Sequence, residues 1–234
     1  MKRKWGRKIL FVFFGRKKDK PLAFPDFVKK TDEERVENQP WRVGDGKEYD
    51  LTEKLDGTSC TYALRRIKGR KKYEFFVCSR NVRQVNETQK TYHDHNIYWD
   101  MAFKYNIEEH LRQYLDEHRD EEWVCIQGEG VGSVQGNPLK LKEDDLYLFN
   151  FITSKLGRFP TPEGMSIAES WNMKWVPYLG RGATQCSMEE LKLYADGKSA
   201  LNPAVNREGI VYRSLDGQDS FKNVSRKYLL KQQD

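Results

Sequence analysis

Sulfur and histidine are scarce in this 234-residue chain, which has four cysteines and four histidines. Cys60, Cys78, Cys125 and Cys186 are widely spaced and form no C-x-x-C pair. This excludes a zinc ribbon and a disulfide framework; free thiols fit a reducing compartment, and the chain is expected inside the cell, in the cytoplasm. No apolar run approaches the roughly 20 residues of a membrane helix, so no membrane partner is expected. The longest run, Ile9-Leu10-Phe11-Val12-Phe13-Phe14, is followed by Gly15-Arg16-Lys17-Lys18 instead of a small-residue cleavage site, so no signal peptide is expected. Repeats and low-complexity segments are missing as well.

Aromatic surface, by contrast, is plentiful. Six Trp, 12 Tyr and 12 Phe in a chain that is 38% hydrophobic and 32% charged supply the apolar area for a core, which a disordered chain lacks. The length suits one large domain or two small ones. Charge is segregated: residues 1–20 hold nine Lys/Arg against Asp19 alone, +8 locally, so the net +6 leaves −2 for the rest. That basic stretch, with Trp5 inside it, could contact nucleic-acid phosphates, or it is one apolar strand flanked by solvated lysines.

Pro21 to Pro25 predict an extended linker. Thr31, with Glu34 three residues on, predicts the cap of a short helical turn in Lys30–Asn38. Strands are predicted at Tyr49–Lys54, around Cys60, Tyr62 and Leu64, and at Tyr73–Cys78, Trp123–Gln127, Leu146–Thr153 and Ile210–Arg213. Ile107, Leu111 and Leu115 recur every four residues and predict one helix over Ile97–Arg119. A second helix starts at the Ser187/Glu190 capping box and ends near Gly197. Strands broken by single helices give an α+β fold of largely antiparallel sheets with flanking helices.

Lys54-Leu55-Asp56-Gly57 is open to two readings. Asp-Gly between alternating strands is a hairpin signal. Alternatively, Lys54 is a nucleophile at a strand end that attacks a nucleotide α-phosphate. Such an amine must be neutral, which predicts a proton affinity lowered by nearby cations and partial burial. Further along come Ser79-Arg80-Asn81, Gln127-Gly128-Glu129-Gly130, Leu148-Phe149-Asn150-Phe151, Glu208-Gly209-Ile210-Val211-Tyr212-Arg213 and Ser220-Phe221-Lys222. Singly, each has an ordinary structural explanation. Together they offer a nucleophile, an arginine for ribose, two carboxylates for sugar and metal, an aromatic for a base and a lysine for phosphate. His93-x-His95 lacks a further Cys or His nearby and is read as a loop or helix start.

These motifs, in this order, resemble those of the covalent nucleotidyltransferases, the ATP-dependent ligases and mRNA capping guanylyltransferases. Phe24-Pro25-Asp26-Phe27 with Lys30–Asn38, and the ending Ser220–Lys231, are similar to one group of RNA ligases, and the resemblance covers about Phe24 to Lys231. It implies a nucleotidyltransferase (ATP-grasp-like) core in which Lys54 becomes adenylated. It further implies that Arg80 and Glu129 contact the AMP ribose and that Phe149 stacks on adenine. Lys222 would neutralise the α-phosphate, and Glu208, with Glu129, would hold Mg²⁺ or Mn²⁺. The implied activity is ATP-dependent sealing of 5′-phosphate and 3′-hydroxyl ends in nicked or broken RNA, including an RNA/DNA duplex. A capping guanylyltransferase, a DNA ligase and a non-catalytic RNA-binding relative are the alternatives. Three departures stand out: Ser220 where many ligases have lysine, Glu37 in place of glutamine, and only about twenty residues where the group carries an N-terminal OB domain of about 100. Residues 1–20 are therefore expected to be a remnant or last strand of such a domain, and 21–234 the adenylyltransferase domain.

Overall fold

The computed structural model describes residues 22–69, 72–87, 95–184 and 186–231. The basic strand expected within residues 1–20, Pro21 and His93 lie outside them. Alternating strands pair into two sheets. The larger, eight-stranded sheet runs β1 (Leu22–Ala23), β5 (Val82–Gln84), β4 (Tyr73–Cys78), β3 (Thr58–Arg66), β6 (Trp123–Val131), β7 (Asp145–Thr153) and β8 (Gly157–Arg158), with β9 (Lys174–Trp175) alongside β7. The smaller, four-stranded sheet has the order β10 (Tyr178–Ala183), β2 (Glu48–Lys54), β11 (Gly209–Ser214), β12 (Ser220–Val224). All pairings are antiparallel apart from β7 with β9, so the α+β expectation is met.

One face of the larger sheet is covered by α1 (Ile97–Lys104), α2 (Ile107–Glu117) and α3 (Thr161–Ser170). Tyr62, Leu64, Ile126 and Leu146 of the sheet meet Ile97, Ile107, Leu111 and Leu115 in the main core, all at 0% exposure. The stripe at 107, 111 and 115 is therefore as predicted, but the single helix is not. Asn106 adopts a left-handed conformation at φ 45°, which a short polar side chain tolerates. The chain turns there, so α1 and α2 each bury their own face. A second core forms under the smaller sheet, where Tyr49, Leu51, Ile210, Tyr212 and Phe221 pack on Leu191 of α4 (Met188–Ala195). The predicted Ser187/Glu190 capping box is present at its start, and the chain closes with α5 (Arg226–Lys231).

Two local expectations change. Leu22 and Ala23 do not form a linker, since they pair with Arg83 and Val82 as an edge strand. Nor does Thr31 cap a helix. A 3-10 turn begins only at Val36, because the backbone just before it is used sideways: Glu34 accepts from the Lys222 N–H at 2.8 Å, and Arg35 bridges to Lys222 in parallel.

Candidate active site

Side chains alternate along a strand, so register decides which of them share a face. Gly209 of β11 lies opposite Lys54 of β2, Val211 opposite both Thr52 and Lys222, and Arg213 opposite both Asp50 and Ser220. One face of the smaller sheet thus carries Lys54, Lys222, Arg213 and Ser220, and the other is the Tyr49–Phe221 core. Glycine at 209 is required by packing: a Cβ there would collide with the Asn223 carbonyl.

Lys54-Leu55-Asp56-Gly57 is not a hairpin turn. β2 ends at Lys54 in the smaller sheet, and β3 starts at Thr58 in the larger one. The motif is a three-residue crossing between sheets, with the amine at its start. Gly57 passes so close to Gly130 that a Cβ would strike the Gly130 carbonyl. That approach brings β6 beside the crossing, with Glu129 opposite Ser59 and Tyr147.

Between the sheets lies a cavity of about 340 Å³, and its walls include every residue singled out above: Lys54, Arg80, Glu129, Phe149, Glu208 and Lys222. Lys54 Nζ sits 2.7 Å from Glu208 Oε2, both side chains largely covered. Burial alone would lower the proton affinity of Lys54, but the carboxylates of Glu208, Glu129 and Asp56 outweigh it and hold the ammonium above its ordinary range. The expected lowering is thus reversed, because the near neighbours are anionic. Lys222 is the lysine shifted down, by burial and then by the Lys54 charge. Glu129 is pushed up to about 8, chiefly by burial, and burial also raises Glu208.

Phe149 sits in β7 where the pairing with β6 slips: Gln127 faces Asn150 and Gly128 faces Leu148, leaving Phe149 without a counterpart. Its half-buried ring packs with Leu55, Val131 and Val176, forming an apolar wall. Arg80, in the turn between β4 and β5, pairs with Asp32 and is more than half exposed.

The sequence reading missed how residues 29–35 lace this cavity. Gln127 donates to the Lys29 carbonyl at 2.8 Å, and Thr31 and Ser59 share a hydroxyl contact at 2.8 Å. Asp32 pairs with Arg80, and Glu33 accepts from Arg158 at 3.2 Å, from Arg213 at 3.3 Å and from Ser220. Ser220, the residue that departs from the lysine pattern, is therefore an anchor for Glu33. Asp56 accepts from the Tyr228 hydroxyl of α5. The signal available in sequence was the acidic pair Asp32-Glu33 inside the lead-in.

Glu208, 2.7 Å from the amine, and Glu129, whose charge also acts on it, offer hard oxygen donors in the cavity wall. Among the described residues, no three His, Cys, Asp or Glu side chains form a ready cage. A carboxylate pair of this kind suits Mg²⁺ or Mn²⁺, which keep several waters and take further oxygens from phosphates, so the residues fit the expected ion. No helix among the described residues is long and apolar enough to cross a membrane, and the four cysteines are unpaired.

Residues 47–229 match the RNA ligase family model. Among solved structures, Naegleria gruberi RNA ligase with PPi is 34% identical, with a TM-score of 0.76, over 99% of this chain and 65% of that one. A variant of the same ligase with ATP and Mn gives 34% identity and 0.73 over 91% and 59%. Another with AMP and Mn gives 34% and 0.74 over 91% and 60%. The present chain thus spans 59–65% of the length of these three ligase chains. No curated protein matches it.

Proposed function

Because the chain belongs to the RNA ligase family, we propose that it is an ATP-dependent RNA ligase working through a lysyl-AMP intermediate. The observation that carries this reading is the convergence of Lys54, Glu208, Glu129, Phe149, Arg80 and Lys222 on one cavity. They reach it from two sheets and a turn, spread over 169 positions of sequence from Lys54 to Lys222, and the Naegleria structures with ATP, AMP and Mn agree with it.

Lys54 loses its proton and attacks the α-phosphorus; the N–P bond forms as the bond to the β-phosphate oxygen breaks, and pyrophosphate leaves. Lys222, across β11 from Thr52 and on the same sheet face as Lys54, faces the α-phosphate and offsets the charge that builds there. Phe149 stacks on the base, and Arg80, released from Asp32, joins Glu129 at the ribose. Mg²⁺ or Mn²⁺ held by Glu208 and Glu129 would offset triphosphate charge and weaken the carboxylates' hold on the Lys54 proton. AMP then passes to an RNA 5′-phosphate, and a 3′-hydroxyl displaces it to close the strand. The substrate class is nicked or broken RNA, a nick whose 3′-hydroxyl side is RNA included, in an intracellular setting.

The test is incubation with α-labelled ATP or GTP and Mg²⁺ or Mn²⁺. Label from ATP that is removed by pyrophosphate and lost in Lys54→Ala is expected, and Lys54→Ala should still join a pre-adenylated 5′ end, which bypasses the amine. Label from GTP alone points to a capping enzyme. A covalent adduct in Lys54→Ala overturns the nucleophile, and no label from either nucleotide favours a non-catalytic RNA-binding protein.

A further inference from the structure

We infer that Arg213 is a positioning residue for the base-stacking wall, acting from the opposite sheet through the Phe149 backbone; this rests on the reading of Phe149 as the adenine platform.

The slip between β6 and β7 takes Phe149 out of the regular ladder. A residue extruded in this way bends its strand and re-aims its side chain, and its backbone groups need another partner. Arg213 provides it, with Nη1 donating to the Phe149 carbonyl. The contact spans the cleft, since Arg213 belongs to β11 of the smaller sheet and Phe149 to β7 of the larger.

The guanidinium is itself held firmly. Its side chain is 3% exposed, Nη2 donates to Glu33, and Glu33 also accepts from Arg158 and Ser220. Nε is buried without a partner among the described residues, and burial, with Arg158 nearby, lowers the proton affinity of Arg213 to about 10. Desolvating a cation this far is costly. The cost holds one guanidinium nitrogen against one carbonyl, that of the extruded residue. A planar fork suits the task, because one end can bind the carboxylate while the other binds the carbonyl. Glu33 comes from the lead-in, so three segments distant in sequence fix the Phe149 ring.

The experiment is lysyl-AMP formation as a function of ATP concentration in the wild type, Arg213→Gln, Arg213→Lys, Glu33→Gln, Phe149→Ala and the Phe149→Ala/Arg213→Gln double variant. Base stacking on an aromatic implies that Arg213→Gln raises the half-maximal ATP concentration by about five- to tenfold, a part of the Phe149→Ala effect. The maximal rate should change much less, and Arg213→Lys should recover part of the loss. In the Phe149→Ala background Arg213→Gln should add nothing, because its effect runs through the missing ring. Inhibition by inorganic tripolyphosphate, which has no base, should be unchanged.

Additive effects in the double variant, or weakened tripolyphosphate inhibition, would assign Arg213 to the phosphates and overturn the positioning role. Should Arg213→Gln fail to fold, Glu33→Gln gives the same readout with a partly exposed partner, and an unaltered ATP dependence in it also overturns the role. A wild-type chain that takes no label from ATP would sink the ligase reading itself, whereas labelling with an unaltered ATP dependence in Arg213→Gln sinks only this inference.

Discussion

His95 is engaged at both ring nitrogens: Nδ1 meets Asp100, and Nε2 lies 2.7 Å from Asp144 Oδ2 and 3.1 Å from Ser133 Oγ. It directly precedes Asn96, whose side chain caps α1, which agrees with the reading of this segment as a helix start. The Asp100 bond, with Asp144 adding to it, raises the His95 proton affinity above its ordinary value. A histidine whose folded pKa exceeds its unfolded one contributes stability fully below the unfolded value of about 6.5, and loses it as pH rises through the folded value. His95→Ala should therefore lower the melting temperature more at about pH 6 than at about pH 8.5. A deficit equal at both pH values would assign the effect to packing alone.

The elements divide cleanly into those legible in sequence and those that were not. Tyr73–Cys78 and the capping box at Ser187 were readable because local chemistry sets them: a run of aromatic and β-branched residues in one case, a reciprocal side-chain pair in the other. Sheet membership was not, because β2 and β3 are adjacent in sequence and carry a hairpin-like Asp-Gly between them, yet they pair in different sheets. That path is marked by a tertiary contact, Gly57 against Gly130, between residues 73 positions apart. The site motifs were readable through their order. Arg213 and Glu33 were overlooked because their roles depend on partners across the cleft. The break at Asn106 was hidden by the regular stripe of α2. Its left-handed backbone gives a direct check: Asn106→Val, placing a β-branched residue at φ 45°, should cost about 1–2 kcal/mol in urea unfolding. A negligible loss would mean that α1 and α2 can join at that point without strain.

For the whole molecule, the uneven charge separates the two halves of the proposed reaction. Lysyl-AMP formation uses ATP and the cavity between the sheets, whereas sealing also requires two RNA ends to be held in line. Residues 21–234 carry −2 and residues 1–20 carry +8. Adduct formation should be fast and only mildly salt-dependent. Sealing of nicked RNA should be slow and decline with salt, and removing residues 1–20 should slow it further and flatten its salt dependence. Full-rate sealing by the shortened chain would show that the core has its own RNA-binding face.

The short crossing at Leu55-Asp56-Gly57 also has a mechanical meaning. A second brief link, Val176-Pro177, joins β9 to β10 beside it, with the Pro177 carbonyl accepting from the Glu53 N–H at 2.9 Å, and Leu55 and Val176 share one apolar cluster. The two sheets are thus bound like the covers of a book along a spine that passes next to the amine. The sheets are tied a second time by the Arg213 guanidinium on the Phe149 carbonyl and by Glu33, which joins Arg158 of β8 to Ser220 of β12. The covers are thus latched as well as bound, and Lys54 sits next to the spine.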